Sequence, residues 1–258
     1  MSPTLLLRRL PAALLDLLYP RRCGGCSRVG AWMCERCLAA ISPPAVPGWC
    51  CATCGTALEP ASAGLACPAG CRASDLTAVL CAGAYAGPLR AAIHRFKYER
   101  WRVLAPVLAR FLDSTCVAEW LPWPADTTPY FVPVPLHPRR ERERGFNQAA
   151  LLARAAGGAL HWPVLAGLER VRPTPHQVGL TADERALNLE EAFAWRGKTA
   201  PPGGPLVLVD DVYTSGATMR ACAEALCAAG GGPVYGLALA RAGQDAGKDR
   251  GAPGARSA

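Results

Sequence analysis

The chain has 258 residues, 51% of them hydrophobic, and a formal net charge of +8. This length accommodates one complete α/β domain and a smaller module, and no apolar run reaches the roughly 20 residues that a membrane-spanning helix needs. A basic chain favours acidic partners, either phosphorylated small molecules or nucleic acid, and the net charge does not choose between them.

The first 22 residues predict a short amphipathic helix. Its leucines between Leu5 and Leu18 are interrupted by charged residues and a proline, and no small-residue cleavage site follows. This pattern is not typical of a secretory signal peptide. We therefore expect a cytoplasmic protein, and in a reducing compartment closely spaced cysteines favour metal binding over disulfides.

Eight of the thirteen cysteines form four close pairs within residues 23–75, which we define as the cysteine module. The pairs are Cys23 with Cys26, Cys34 with Cys37, Cys51 with Cys54, and Cys67 with Cys71. Two thiolates in a tight turn cover one edge of a tetrahedral ion, and two such turns complete a site. The pattern predicts structural Zn²⁺, most simply two ions with four cysteines each. One zinc site with a spare set of four cysteines is the alternative. The close pairs could combine either in the order of the chain or in an interleaved order. Cys51 is favoured over Cys50 as a ligand because of its spacing to Cys54.

Residues 76–242 alternate between apolar runs and helical periodicity, which predicts an α/β domain with a mostly parallel sheet. Strands are predicted at 76–85, 130–136, 206–209 and 234–240, and helices at 89–98, 103–112, 148–160 and 181–193, with another from the loop at 214–218 to about 228. Residues 243–258 are predicted to form a disordered tail.

Two basic segments have two interpretations each. Arg95, Lys97 and Arg100 belong to a basic surface that is either a solvated helix face or a contact for phosphates or nucleic acid. The arginine-rich segment 137–148 follows a strand and a proline-held turn. It is either a second anion site or an exposed loop whose arginines and glutamates pair with each other.

The segment 205–219 carries the clearest chemical signal. Leu206 to Val209 predict a strand buried on both faces, which Asp210 and Asp211 are expected to end. A loop with hydroxyls and a glycine follows and opens a helix, and backbone N–H groups at a helix N-terminus suit a phosphate. Because carboxylates accept hydrogen bonds from sugar hydroxyls, the natural ligand of this arrangement is a ribose 5-phosphate.

Residues 207–219 resemble the 13-residue motif with which type I phosphoribosyltransferases bind 5-phosphoribosyl 1-pyrophosphate (PRPP). A Rossmann-type strand and helix with incidental capping residues is one alternative. The acidic strand of a P-loop ATPase is another, but it needs a Gly-x-x-x-x-Gly-Lys-Ser/Thr loop. The segment Gly197-Lys198-Thr199 comes nearest, but Ala192 stands where the first glycine is required and no apolar strand precedes it. The P-loop interpretation is therefore excluded.

The order of elements is similar to that of the competence-associated ComF family over residues 12–241. The most distinctive segments are 132–148 and 177–188, together with the cysteine-rich N-terminus. Three residues separate Cys67 from Cys71, where two would be expected. This departure affects the geometry predicted for one metal site.

The resemblance implies a type I phosphoribosyltransferase fold and a role for each motif residue. Asp210 and Asp211 would hold the ribose 2- and 3-hydroxyls. The pyrophosphate would be held by a turn with arginines behind it, and Mg²⁺ mainly by the pyrophosphate and water. The 5-phosphate loop comprises Thr214, Ser215, Gly216, Ala217 and Thr218. The pyrophosphate turn comprises Val134, Pro135, Leu136 and His137, backed by Arg139 and Arg140.

Two functions follow from this resemblance. In the first, the protein is a phosphoribosyltransferase that acts on an unidentified acceptor. In the second, it is a zinc-containing competence factor in DNA uptake that keeps the PRPP site without turnover, with single-stranded DNA and a helicase-like protein as partners.

Overall fold

The computed structural model describes residues 19–43, 48–61, 64–71, 74–118, 121–124, 126–172 and 192–242. The helix predicted over residues 1–22 lies outside these ranges except for residues 19–22, and the predicted tail lies outside them altogether. The helix predicted at 181–193 also lies outside them, except for its last two residues. Its predicted end at Phe193 is wrong, because Phe193 is the first residue of a strand. No helix in the described ranges is long and apolar enough to cross a bilayer.

Nine strands are formed in the described residues. They are β1 (Trp49–Cys51), β2 (Glu59–Ala61), β3 (Gly64–Ala66), β4 (Leu76–Ala84), β5 (Tyr130–Pro133), β6 (Leu168–Arg170), β7 (Phe193–Trp195), β8 (Leu206–Tyr213) and β9 (Val234–Arg241). Five make the main sheet, in the order β1-β4-β9-β8-β5, while β2–β3 and β6–β7 are antiparallel pairs. Strands β4, β9, β8 and β5 are parallel and β1 is antiparallel to β4, so the predicted α/β class with a mostly parallel sheet is confirmed.

Helices cover both faces of this sheet. They are α1 (Glu35–Ala39), α2 (Gly87–Tyr98), α3 (Ala105–Ala118), α4 (Pro138–Arg144), α5 (Gln148–Leu160) and α6 (Ala217–Ala228). Helices α2, α3 and α5 contribute Phe96, Leu108 and Leu152 to the core on one face. Helix α6 contributes Met219 and Leu226 to the core on the other face.

Strand β8 is buried on both faces, as predicted. Val207 and Val209 face the core of α2, α3 and α5, while Leu206 and Leu208 face α6. The prediction that Asp210 and Asp211 end the strand is wrong, because β9 continues to pair with β8 as far as Tyr213. The neighbour on the other side, β5, stops at Pro133 opposite Val209. The two carboxylates therefore follow the point at which β8 loses one neighbour.

The cysteine module supplies the edge strand of the main sheet, a strand that the sequence analysis did not predict. In β1, Cys50 pairs with Val79 of β4. The Trp49 ring packs edge-on against Trp123 and Tyr235, with ring centroids 6.2 and 5.7 Å apart. The module and the α/β domain consequently share one sheet and one core.

The segment predicted as an arginine-rich loop is the short helix α4. His137 caps its N-terminus, and Gly145 ends it with a φ of 79°. Pro138 is favourable at the first position of a helix, and Arg139 pairs with Glu143 one turn later at 3.1 Å. This pair agrees with the alternative in which arginines and glutamates of the segment neutralise each other.

Candidate functional site

A cavity of about 350 Å³ lies at the carboxyl ends of β5 and β8. Its walls come from the end of β4, the last turn of α2, the turn after β5, and the first turns of α4, α5 and α6. The lining residues include Tyr85, Lys97, Tyr98, Val134, Pro135, Leu136, Arg140, Arg144, Asn147, Gln148, Arg170, Asp210, Asp211, Thr214 and Thr218. Ligands of α/β sheets bind at this edge, outside the carboxyl ends of the strands.

Asp210 and Asp211 form the floor of the cavity. Asp211 is only 6% exposed, and its carboxylate Oδ1 lies 2.8 Å from the Nζ atom of Lys97 on α2. Asp210 is half-buried and accepts a hydrogen bond from the Asp211 backbone N–H through its own Oδ1, at 2.8 Å. The pair therefore has one salt bridge, made by Asp211, while Asp210 faces the cavity without a cation as close.

The electrostatics of the two acids differ accordingly. Burial raises the pKa of Asp210 to about 7, the Asp211 carboxylate adds to this rise, and Lys97 opposes it. Burial lowers the pKa of Lys97, but the carboxylates of Asp211 and Asp210 outweigh this effect and the net pKa is raised. The cavity thus holds one lysine that stays charged and one carboxyl group that titrates near neutral pH.

Replacing Asp210 by asparagine is expected to stabilise the folded protein above neutral pH. Because the folded-state pKa of Asp210 is above the ordinary value, its protonated form stabilises the fold below about pH 4, and this contribution is lost as the pH rises through about 7. An asparagine side chain stays neutral at every pH, so Asp210→Asn should raise the free energy of unfolding by about 1–2 kcal/mol at pH 8 and by much less at pH 4. Urea unfolding at the two pH values measures this difference, and equal effects at both would contradict it.

The ligand loop, which we define as residues 214–216, leads from β8 into α6. Gly216 is the N-cap of α6 with a φ of 76°, a conformation that favours glycine. Since glycine has no side chain to cap the helix, the first N–H groups of α6 are open to an anion. Thr214 and Thr218 line the cavity, whereas Ser215, Gly216 and Ala217 lie outside its lining.

The turn after β5 forms another part of the cavity wall. Val134, Pro135, Leu136 and Arg140 line the cavity. His137 and Arg139 do not: the His137 Nδ1 atom accepts from the Arg139 backbone N–H at 3.2 Å, and the Arg139 side chain is exposed next to Glu143. The structure thus places Arg140 in the lining of the cavity and leaves Arg139 outside it.

Several lining residues were not singled out as site residues from the sequence. Gln148 at the start of α5 is 2% exposed and accepts a hydrogen bond from the Arg144 guanidinium at 3.1 Å. Burial and then the charge of Arg140 lower the pKa of Arg170, which lies on β6. The cavity therefore combines three arginines with a carboxylate pair, which suits a ligand with both anionic and hydroxyl groups.

The three residues of the basic surface predicted around α2 make separate internal contacts. Lys97 points into the cavity, and the Arg100 guanidinium donates to the backbone carbonyl of Glu143 at 2.7 Å. The Arg95 guanidinium donates to the Cys23 carbonyl at 3.2 Å and to the Ser27 hydroxyl at 2.7 Å. These residues thus make internal contacts, while the Arg100 side chain stays exposed and charged, and a role of this surface in binding phosphates or nucleic acid stays a prediction.

The eight predicted cysteine ligands come together in two clusters, paired along the chain. Within each cluster the sulfur atoms lie within 4.8 Å of one another. The first cluster comprises Cys23, Cys26, Cys34 and Cys37, and the second comprises Cys51, Cys54, Cys67 and Cys71. Cys50 is not in a cluster, since its thiol donates to the Val79 carbonyl at 3.1 Å. Cys51, as preferred, lies in the second cluster, and its role as a ligand stays a prediction.

Both clusters fit a tetrahedral ion. The Sγ atoms of Cys26 and Cys34 are 3.7 Å apart, and those of Cys54 and Cys67 are 3.6 Å apart. Four sulfurs around zinc at about 2.3 Å are separated by roughly 3.8 Å. Burial raises the pKa of Cys23, but N–H groups of Cys34 and neighbouring residues outweigh it and bring the pKa to about 6, which favours the thiolate that a metal needs. Each cluster could bind zinc.

Several curated proteins, including the following three, are similar to the chain in sequence. Competence protein F of Haemophilus influenzae is 34% identical over 162 residues, covering 62% of this chain and 71% of the relative. DNA utilization protein YhgH of Escherichia coli K12 is 35% identical over 159 residues, covering 61% and 69%. Competence protein ComFC of Bacillus subtilis is 39% identical over 95 residues, covering 37% of each chain. No protein-family model matches the chain.

Solved structures resemble the chain more distantly. Trypanosoma cruzi hypoxanthine phosphoribosyl transferase is 14% identical with a TM-score of 0.32, covering 55% of this chain and 65% of that chain. An asparagine mutant from an analysis of an invariant aspartic acid in HPRTs is 14% identical with a TM-score of 0.31, covering 55% and 66%.

Proposed function

Because the chain belongs to the ComF family, we propose that its cavity binds PRPP with Mg²⁺ and that the protein transfers the phosphoribosyl group to an acceptor. The observation that carries this proposal is the meeting of an acid pair and three arginines in one cavity, with Thr214 and Thr218 at the uncapped start of α6 in its lining. Sugar hydroxyls need the acceptors, a 5-phosphate needs the N–H groups, and a pyrophosphate needs the guanidinium groups. PRPP has all three parts.

Asp210 and Asp211 would hold the ribose hydroxyls and so fix the sugar. Thr214 and Thr218 would hydrogen-bond the 5-phosphate at the start of α6. Breaking the bond between C1 and the pyrophosphate oxygen leaves positive charge on the ribose and negative charge on the leaving group. Guanidinium groups beside the leaving pyrophosphate would stabilise that charge, while the fixed ribose presents C1 to the acceptor.

Mg²⁺ would reduce the charge of the pyrophosphate, with most of its ligands from substrate and water. The salt bridge of Asp211 supports this assignment, since Lys97 already supplies a cation at 2.8 Å. We also propose that each cysteine cluster holds Zn²⁺ in a structural role, because four thiolates without an open position are typical of structural sites. Thiolate sites of this kind suit a reducing compartment, which supports a cytoplasmic location.

Isothermal titration of the zinc-loaded protein with PRPP and Mg²⁺ tests this function. Asp210→Asn is the matched variant because it keeps the Lys97–Asp211 salt bridge and is expected to stabilise the fold. We expect it to weaken PRPP binding about 10-fold, and Asp210→Asn/Asp211→Asn to weaken it about 100-fold, since hydrogen bonds to a charged group contribute about 1.5–3 kcal/mol each. Absence of PRPP binding by the unaltered protein would overturn the proposal.

A second candidate function is a role in competence without turnover, favoured by the names of the relatives, which refer to competence and DNA utilization. In that case single-stranded DNA and a helicase-like protein would be the partners. Asp210→Asn separates the two, because it should leave DNA association unchanged. If PRPP does not bind and the chain binds single-stranded DNA with a steep salt dependence, the second function replaces the first.

A further inference from the structure

Arg220, in the first turn of α6, links the ligand loop to the second cysteine cluster. Its guanidinium Nη1 donates to the Ser215 carbonyl at 2.9 Å and to the Ala52 carbonyl at 3.1 Å. Ser215 is in the ligand loop, and Ala52 lies between the cluster residues Cys51 and Cys54. Residues 50–55 form a turn that we call the cysteine turn. One half-buried side chain thus holds the backbone of the cysteine turn against the backbone of the ligand loop.

A tyrosine at the end of β8 makes the same connection. The Tyr213 hydroxyl donates to the Ala52 carbonyl at 3.4 Å and is buried. A Cβ atom added at Gly216 would meet both this hydroxyl and the Arg220 guanidinium. The loop therefore packs directly on the two side chains that contact the cysteine turn, with no room between them.

The far end of the cysteine turn is held by Arg241, at the end of β9. Its guanidinium donates to the Cys50 sulfur at 2.8 Å and to the Gly55 carbonyl at 3.3 Å. Gly55 has a φ of 76°, and its N–H closes the turn on the Cys51 carbonyl at 2.8 Å. The whole turn from Cys50 to Gly55 is thus seated on the carboxyl ends of β8 and β9.

We propose that Arg220 is a positioning residue that couples the second cysteine cluster to the ligand loop. A metal ion fixes the turn that carries the Ala52 carbonyl, and Arg220 passes this constraint to the Ser215 carbonyl. An anion bound at the loop then strengthens metal binding by the same factor by which the metal strengthens anion binding. The inference rests on the proposed function for the anion, which would be the 5-phosphate of a phosphorylated ribose.

The first cluster differs in its connections. Its link to the α/β domain is Arg95 on α2, which donates to the Cys23 and Gly24 carbonyls. Arg95 lies two residues before Lys97 and does not line the cavity, because positions two apart on a helix point to nearly opposite sides, so the first cluster serves as an internal control. A ligand bound at the ligand loop should slow metal release from the second cluster and leave metal release from the first cluster unchanged.

The experiment measures metal release to a chelator from the full-length protein loaded with Co²⁺, whose thiolate absorption reports each cluster. A Cys26→Ser variant, which lacks one predicted ligand of the first cluster, identifies the part of the release time course that belongs to that cluster. With ribose 5-phosphate, we expect about 5-fold slower release from the second cluster of the unaltered protein. Arg220→Met should release this metal about 3-fold faster without ligand and should lose the ligand effect. Arg220→Lys should restore part of the coupling.

The matched control is Arg36→Met, which removes an exposed arginine located between Cys34 and Cys37 of the first cluster. It should leave release from the second cluster unchanged. If ribose 5-phosphate does not bind to the unaltered protein, PRPP with Mg²⁺ replaces it as the ligand; if neither binds, the proposed function fails, and the ligand-free comparison still tests Arg220. If Arg220→Met releases metal at the unaltered rate, or if bound ribose 5-phosphate leaves release unchanged, the coupling is overturned.

Discussion

Removing metal from the two cysteine clusters is expected to unfold the cysteine module and to lower the stability of the whole chain. Regular structure in the described part of this module is short, with five residues in α1 and three each in β1, β2 and β3. Such a module depends on its ligands, and a structural zinc site contributes on the order of 10 kcal/mol of folding free energy. Thermal unfolding followed by near-ultraviolet circular dichroism, with and without a chelator, measures the effect.

The signal should come largely from Trp49, whose ring packs edge-on against Trp123 and Tyr235. Loss of β1 would release this ring and leave β4 with an unpaired edge. Cys54→Ser should reproduce the part of this effect that depends on the second cluster, because it removes one of the four predicted ligands there. Cys227→Ser is the control, since Cys227 lies outside both clusters. A protein that keeps its unfolding temperature after metal removal would contradict the structural role.

Lys97→Met is expected to destabilise the protein by about 3–4 kcal/mol. The substitution leaves the Asp211 carboxylate, 6% exposed, without the cation that lies 2.8 Å from it. Breaking a buried ion pair by removing one partner costs about 3–5 kcal/mol, because a buried charge remains uncompensated. Urea unfolding at pH 7 measures the change.

Three variants test this explanation of the Lys97 effect. Lys97→Arg keeps a cation and should retain most of the stability. Adding Asp211→Asn to Lys97→Met removes the unpaired charge and should recover at least half of the loss. Lys198→Met, at an exposed position, should change stability by less than about 0.5 kcal/mol. If the double variant is no more stable than Lys97→Met alone, loss of the charge pair does not explain the result.

The sequence predicted the elements that depend on local pattern. The unbroken run from Leu206 to Val209 indicated a strand buried on both faces, and the loop after it indicated the start of α6, because both signals lie within a few residues. The four cysteine pairs likewise indicated two four-thiolate clusters. Sequential pairing could not be predicted, since it depends on how the turns fold back on each other.

The salt bridge between Lys97 and Asp211 was not predicted from the sequence, because Lys97 lies among other basic residues. Helix α2 nevertheless holds a signal: Lys97 lies four residues after Ile93 and eight after Leu89, on the stripe that faces the core. A lysine in such a stripe needs a buried partner. Its identity could not be predicted, because Asp211 lies more than a hundred residues further along the chain and meets Lys97 only in the folded sheet.

The pairing of β1 with β4 and of β4 with β9 limits the order in which this protein can fold during synthesis on the ribosome. The cysteine module is synthesised first, yet its strand has no partner until residues 76–84 have emerged, and β4 has no parallel neighbour until residues 234–241 are made. Pairings across such distances form slowly, and during that wait an incomplete sheet exposes edges that can join to other chains. Early capture of metal would keep the nascent N-terminal segment compact until the last strand arrives.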